Sequence, residues 1–258
     1  MTKKYIFLDA DGTLIDHDSN QIPESTKKAI KLAQNNGHEI LIATGRPPSL
    51  FYGIDKEIDC TSYVASNGRI VVIDGELVHG ETISREIVDK VLTYFEGLKL
   101  DVALEGMEKY VVHTRHTDLA EKFSDRFHIE VPMLFPNFHQ ENDVYQMVLF
   151  YDQPDFKKFE EVFPDLAFNY SCEYGIDINL KGGMKDIGLK VILEKLNLDL
   201  KDIIAVVDGY NDISMIEFAG IGVAMGNASE EVKKHADIIT DSVEKDGIYN
   251  LFEKLKLI

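Results

Sequence analysis

Three short apolar runs, Tyr5–Leu8, Glu39–Ala43 and Ile203–Val207, constrain this chain more than any other feature. Their hydrophobicity is continuous rather than alternating, so each reads as a strand buried on both faces, the condition of an interior strand in a parallel sheet. Helical patterns lie between them. Residues 23–36 begin with Pro23 in the first turn, carry Ala29, Ile30, Leu32 and Ala33 as an apolar stripe, and stop at Gly37. Lys185–Leu196 is an amphipathic helix, and helices are expected at 211–219, 230–235 and 247–255. Tyr63–Ala65, 69–73, 76–78, Ile221–Ala224 and Ile238–Ile239 supply further strands, with Asn67-Gly68 and Asp74-Gly75 as hairpin turns. Strand and helix alternating at both ends of a chain predict an α/β fold with a doubly wound, mostly parallel sheet.

The middle follows a different pattern. Helices are expected at 84–96, 118–127 and 155–163, strands at 102–104, 110–113, 145–151 and 166–170, and a Pro- and aromatic-rich loop at 131–138. This predicts an α+β domain, residues 82–182, inserted into a core made of residues 1–81 and 183–258, with linkers near 81–84 and 180–183. Gly182 and Gly183 would let the second linker flex.

With 258 residues, 45% of them hydrophobic, the chain can bury cores of this size. Its net charge of −18 repels nucleic acid and anionic lipid, so neither is an expected partner. The same charge opposes anionic metabolites at long range, and a site for one needs local positive charge. Cys60 and Cys172 form no CxxC or zinc pattern and read as buried thiols. The apolar run after Met1 is too short for a signal peptide, and no stretch reaches membrane-spanning length, so the expectation is a cytoplasmic protein, monomeric or weakly homo-oligomeric.

Chemistry gathers where the buried strands end. Asp9 and Asp11 follow the first, two residues apart and on one side of an extended chain. Thr44-Gly45-Arg46 follows the second, pairing a hydroxyl with the free N–H of a glycine, a combination that cradles a phosphoryl oxygen. Asp208-Gly209-Tyr210-Asn211-Asp212 follows the third. Lys185 opens a helix, where its charge opposes the helix dipole and calls for an anion. Each feature alone has an ordinary explanation as turn, cap or solvated surface. Together they fall on one edge of a parallel sheet, where open α/β sheets bind ligands. Carboxylates and a phosphate dianion could not share that edge unaided, since two unit charges ~4 Å apart repel by about 4 kcal/mol at an effective dielectric of 20. A hard divalent cation removes the conflict, and Mg2+ is the usual partner of carboxylates plus phosphate.

These motifs, at these spacings, resemble the haloacid dehalogenase superfamily, and specifically its Cof-type sugar-phosphatase-like branch with a large α/β cap. Asp9-Ala10-Asp11-Gly12-Thr13 is similar to the DxDGT signature, Thr44-Gly45-Arg46 to the hydroxyl motif, Lys185 to the motif lysine and Asp208 to Asp212 to the acidic motif. Met225-Gly226-Asn227-Ala228, Ala236-Asp237 and Asp246-Gly247 also look like this branch. Two positions depart from it: Val207 stands where a glycine usually precedes the acidic motif, and Asp186 where a glycine commonly follows the lysine.

The resemblance implies a Mg2+-dependent phosphatase acting on a small phosphorylated metabolite such as a sugar phosphate, a nucleotide or a cofactor phosphate. Asp9 would be the nucleophile and become an aspartyl phosphate, while Asp11 would protonate the leaving oxygen and later deprotonate water. Asp9, the Asp11 backbone carbonyl and Asp208 would hold the metal. Thr44, the Gly45 N–H, Lys185 and Asn211 would bind the phosphoryl oxygens, and Asp212 would orient Lys185 or a water of the metal's shell. The inserted domain would act as a cap that selects the substrate, with His113, Arg115, His116 and Glu105 as candidates, each otherwise a solvated surface group. A phosphomutase, or a non-catalytic protein that binds a phosphate ligand, are the rival readings on the same fold.

Overall fold

The computed structural model describes residues 2–258. Its strands, in chain order, are β1 Tyr5–Leu8, β2 Glu39–Ala43, β3 Tyr63–Ala65, β4 Ile70–Ile73, β5 Glu76–Gly80, β6 Val102–Glu105, β7 Tyr110–Val112, β8 Met133–Leu134, β9 Gln146–Phe150, β10 Leu166–Cys172, β11 Gly175–Leu180, β12 Ile203–Val207, β13 Ile221–Ala224 and β14 Ile238–Ile239. The helices are α1 Glu24–Asn35, α2 Ile54–Glu57, α3 Arg85–Gly97, α4 Leu119–Phe127, α5 Phe138–Glu141, α6 Phe159–Val162, α7 Lys185–Leu196, α8 Ile213–Phe218, α9 Glu230–Lys233 and α10 Gly247–Lys254. The chain forms two compact units. One holds residues 2–45, 51–79 and 183–258, the other Arg46–Leu50 and Gly80–Gly182.

The first unit is built on an eight-stranded sheet of order β14-β13-β12-β1-β2-β3-β4-β5. The strands from β14 to β3 run parallel, and β4 turns back antiparallel on β3. From β1 the chain winds to β2 and β3 on one side, and later to β12, β13 and β14 on the other. The sheet is therefore doubly wound and mostly parallel, and its topological switch point lies between β1 and β12. One face of the sheet presents Phe7, Leu41, Ala43, Val64, Ala205 and Val207 to Leu189 and Ile192 of α7 and Met215 and Ile216 of α8. Those strand residues alternate with others that are equally buried, such as Ile6, Leu8, Ile40, Ile42 and Val206. Burial on both faces explains the unbroken apolar runs.

Helix α7 sits close to β3 because Gly188 allows it. A Cβ at that position would run into Val64 Cγ1. Asp74 and Gly75 hold φ of 50° and 80°, the pair of positive values that a two-residue hairpin between β4 and β5 requires. Asn67-Gly68 lies, as expected, in the hairpin connection between β3 and β4, where Ala65 pairs with Ile70, but in a longer loop than a two-residue turn. Ser66–Gly68 is a 3-10 turn, with Ser66 and Asn67 fully buried at φ of 46° and 51°. A turn held in the left-handed region by non-glycine residues is over-determined by its surroundings.

The second unit has a six-stranded sheet of order β10-β11-β9-β6-β7-β8. One face is packed by α3 and α6 around the ring cluster of Phe95, Phe159 and Phe168, and the other by Phe123 of α4 against Val148 and Phe150. Two strands escaped the sequence reading. Gly175–Leu180 alternates Ile176, Ile178 and Leu180 with Asp177 and Asn179, a period-2 signal overlooked beside the linker glycines. Met133–Leu134 is a two-residue strand within the stretch expected to be loop. The helix expected at 155–163 divides into a 3-10 turn, Phe156–Lys158, and α6. Both cysteines are buried and free, and burial pushes each thiol up to about 11. Among the described residues no helix is long and apolar enough to cross a membrane.

Candidate active site

Register places the chemistry. Leu8 pairs with Ile42 on one side and Val206 on the other, so the residues that follow β1, β2 and β12 emerge at one level on one edge. Asp9 continues the ladder by donating its N–H to Val206 O at 3.0 Å. The chain then curls: Gly12 N–H donates to Ile15 O at 2.9 Å and Ile15 N–H to Ala10 O at 2.8 Å, which turns the segment back over the sheet edge. Gly12 has φ of 79°, and a Cβ there would strike the Asp208 carboxylate and lie 2.7 Å from His17 Nε2. Glycine is required both for the turn and for that close approach.

Lys185 lies at the centre of the site. It is 1% exposed and forms ion pairs with Asp9 Oδ1 and with Asp212 Oδ1, the latter at 2.5 Å. Burial works against its charge, but Asp212 and Asp9 more than offset it and hold the ammonium above its ordinary value. One cation does not balance the carboxylates around it. Burial, with the charges of Asp212, Asp208 and Asp11 added, pushes the Asp9 carboxyl well above its usual range although Lys185 pulls it down. Burial also raises Asp212, against Lys185 and the Gly209 N–H, which donates to Asp212 Oδ2 at 3.3 Å. Asp208 is pushed up to about 7 by burial and by Asp212, although Thr13 Oγ1 donates to its Oδ1 at 3.1 Å. The unmet need is for positive charge beside Asp9 and Asp208.

That need fits Mg2+. Among the described residues no three His, Cys, Asp or Glu side chains form a metal cage of their own. Mg2+ typically takes one or two carboxylates and completes its shell with carbonyls, water and phosphate oxygens. Asp9 and Asp208 supply the carboxylates of a donor set of that kind.

The phosphate-binding candidates converge through a residue that sequence reasoning missed. Thr44 is buried at the end of β2, its N–H donating to Val64 O at 2.9 Å and its carbonyl accepting from Asn67 N–H at 3.2 Å. The Asn67 side chain lies 3.3 Å from where a Gly45 Cβ would stand, and Asn211 Nδ2 donates to Asn67 Oδ1 at 3.4 Å. Asn67 thus links the β2 end to the acidic motif, a role hidden because Asn-Gly reads first as a hairpin. Asn227 was also missed as a site residue. Its Nδ2 donates to Gly12 O at 2.8 Å, its Oδ1 accepts Val243 N–H at 3.1 Å, and Nδ2 stands 3.5 Å from Asp208 Oδ2. The signal was available, since Asn227 follows β13 as Asp9 follows β1. Arg46, whose Nη1 donates to Leu50 O at 3.2 Å, belongs to the second unit. The candidates in that unit are engaged within it. His113 lies 2.8 Å from Pro136 O and Arg115 Nη2 donates to Pro132 O at 2.6 Å, while exposed His116 is tied to Asp101 through its backbone N–H. Glu105 is buried and accepts from Gln146 Nε2 at 3.0 Å, which corrects its reading as a solvated group.

The Asp208 shift yields a prediction. A carboxyl whose folded value lies above its unfolded one contributes fully at acid pH and loses that contribution as pH rises through about 7. In EDTA, Asp208→Asn should therefore melt at a higher temperature than the wild type at pH 8, with the gap narrowing at pH 5 and closing only near the ordinary carboxylate value. Equal melting temperatures across that range would remove the electrostatic account of Asp208.

Residues 6–252 match the family model described as haloacid dehalogenase-like hydrolase. YkrA of Bacillus subtilis, which is named as a phosphatase, is 34% identical over 260 residues that cover 100% of both chains. A second Bacillus subtilis relative, 5-amino-6-(5-phospho-D-ribitylamino)uracil phosphatase YitU, is 30% identical over 96% of each chain. The solved structure of the subclass IIB sugar phosphatase BT4131 superposes with a TM-score of 0.88 at 28% identity, over 99% of this chain and 100% of that one. With the match running through the β1, β2 and β12 edges alike, this chain belongs to the haloacid dehalogenase-like hydrolases and is a phosphatase, a hydrolase of phosphate monoesters.

Proposed function

We propose that this phosphatase is Mg2+-dependent and works through a phosphoryl group carried on Asp9. The observation that carries the reading is the pair of contacts made by buried Lys185, which reaches at once Asp9, just past β1, and Asp212, in the turn between β12 and α8. An Asp9 carboxylate oxygen attacks phosphorus in line. The phosphorus–oxygen bond to the alcohol breaks as Asp11 gives the departing oxygen its proton. Asp11 then takes a proton from water, whose oxygen attacks the aspartyl phosphate, releasing inorganic phosphate and restoring Asp9. Lys185, Thr44, the Gly45 N–H and Asn211 bind the equatorial oxygens, and Asp212 holds Lys185 in place. Mg2+ held by Asp9, the Asp11 backbone carbonyl and Asp208 supplies the charge that lets a phosphate dianion enter a carboxylate-rich edge. Residues 82–182 serve as a cap on a core of residues 1–81 and 183–258. The substrate is a small phosphorylated sugar or sugar alcohol, a class supported by what YitU and BT4131 are named for.

The test is phosphate release from p-nitrophenyl phosphate and a panel of sugar, sugar-alcohol, nucleotide and cofactor phosphates, with Mg2+ and with EDTA. Activity should vanish in EDTA and return with Mg2+, and the phosphorylated sugars or alditols should lead the panel. Asn227 bonds the loop next to Asp11 and backs Asp208, so Asn227→Ala should raise the Mg2+ needed for half-maximal rate by about 10-fold or more, as loss of an outer-sphere partner does. Full activity in EDTA would overturn the metal assignment. A best substrate among nucleotides would overturn the substrate class.

A further inference from the structure

The residue after Lys185 departs from the pattern that the resemblance implies, and the structure gives it a defined set of partners. Asp186 is 7% exposed. Its Oδ1 accepts the Met184 N–H at 3.0 Å and the Ser214 hydroxyl at 3.0 Å, while its Oδ2 accepts Lys190 Nζ at 2.6 Å. Burial opposes its charge, but Lys190, the Met184 N–H and Ser214 together hold the carboxyl below its ordinary range. Lys190 in turn lies 5.2 Å from the centre of the Phe218 ring. Met184 and Lys190 belong to the start and second turn of α7, whereas Ser214 and Phe218 belong to α8.

Two bridges thus join the same two segments side by side. Lys185 reaches Asp212, and one residue on Asp186 reaches Ser214. The first bridge belongs to the site, and its cation must also serve Asp9 and an incoming phosphoryl group. Nothing in that bridge fixes where α7 starts, because Lys185 has a long flexible stem and a charge that any of several carboxylates can attract. The second bridge is a short side chain in a part-buried contact, and its carboxylate is also held by the Met184 N–H at the start of α7. It anchors the helix from which Lys185 springs.

We infer that Asp186 is a positioning residue for phosphoryl transfer: by closing the first turn of α7 on the Met184 N–H and tying that turn to α8 through Ser214, it sets the ammonium of Lys185 between Asp9 and Asp212. The inference rests on the proposed role of Lys185. Without Asp186 the ammonium follows Asp212, and its hold on the transferring phosphoryl group weakens.

Asp186→Ala, Asp186→Asn and Ser214→Ala should be compared with the wild type for kcat, KM, the inhibition constant of orthovanadate, which mimics the five-coordinate phosphorus, and melting temperature. Displacing a catalytic group by a fraction of an ångström to one ångström costs roughly 10- to 100-fold in rate. Asp186→Ala should therefore lower kcat about 10-fold or more and weaken vanadate by a similar factor, with KM for the ester changed less. Asp186→Asn keeps an oxygen for the Met184 N–H and for Ser214, and should recover to within about threefold of the wild type. Ser214→Ala, which removes one hydroxyl and is expected to fold, should fall between the two. A merely structural Asp186 would lower the melting temperature and the active fraction while leaving the vanadate constant unchanged, and that result would overturn the inference. So would wild-type kinetics in both Asp186→Ala and Ser214→Ala. Lys185→Met run alongside separates the two levels. If it keeps wild-type activity, the reading of Lys185 is wrong; if it is inactive while Asp186→Ala is unaffected, only the positioning role fails.

Discussion

Asp9→Asn should abolish phosphate release, by roughly 10⁴-fold or more, the scale of loss on removing a covalent nucleophile. An amide oxygen is too weak a nucleophile to displace an alkoxide from phosphorus, and β1 itself, Tyr5–Leu8, carries no carboxylate to replace it, while Asp11 two residues on is assigned to proton transfer. The fold should survive. Asp9 is tied into the sheet by its backbone, which donates to Val206 O and accepts Leu14 N–H at 3.2 Å, and neither bond involves the side chain. Lys185 keeps Asp212 as its partner. Removing a buried carboxylate whose charged form is disfavoured there also relieves repulsion from Asp208 and Asp212. The melting temperature in EDTA should therefore stay level or rise, as replacements of strained functional groups often show. Beryllofluoride with Mg2+ should bind the wild type and stabilise it, and should lose that effect in Asp9→Asn. Phosphate release within tenfold of the wild type would rule Asp9 out.

Lys185→Met should damage both activity and stability. On activity, the loss of a preorganised cation at a developing charge costs about 10²–10³ in kcat. On stability, a methionine of similar length leaves Asp9 and Asp212 buried without their cation. Removing one partner of a buried ion pair costs about 3–5 kcal/mol. The pH dependence follows from the same groups. Both carboxyls lie above their ordinary range even with Lys185 present, and its removal raises them further. A carboxyl with a raised folded value stabilises fully at acid pH and ceases to do so as pH rises through that value. The variant should thus lose more stability at pH 8 than at pH 5, by denaturant unfolding in EDTA. A deficit independent of pH would show that Lys185 contributes by packing alone. Mg2+ should recover part of the stability at pH 8, because it brings positive charge back to Asp9.

Much of the site was legible because an interior strand of a parallel sheet leaves no room for polar residues along its length. Polar residues that follow such a strand stand out, and β1, β2 and β12 announced Asp9, Thr44 and Asp208 in that way. The same rule could have flagged Asn227 after β13. Where a residue type has a common local explanation, the signal fails. Asn67 was explained by the Asn-Gly hairpin rule, which holds for the β3–β4 connection and so hid its place beside Gly45 and Asn211. Strand β11 was lost beside the linker glycines for a similar reason. Glu105 looked like a surface charge because charged residues usually are, and it is a partner 41 residues away, Gln146, that meets it in the interior.

The order of apolar runs and helical stripes determined the doubly wound sheet, since continuous hydrophobicity needs burial on both faces and parallel strands need helical crossovers. It also determined which residues reach the carboxyl edge, because that depends only on where each strand stops. The pairing of Lys185 with Asp9 and Asp212 was decided by tertiary structure alone. It depends on α7 lying against β3, where Gly188 meets Val64, and on α8 offering Ser214 to Asp186. Such contacts join residues 27 to 176 positions apart, and no local propensity or spacing encodes the distance between them until the sheet has brought its strands into register.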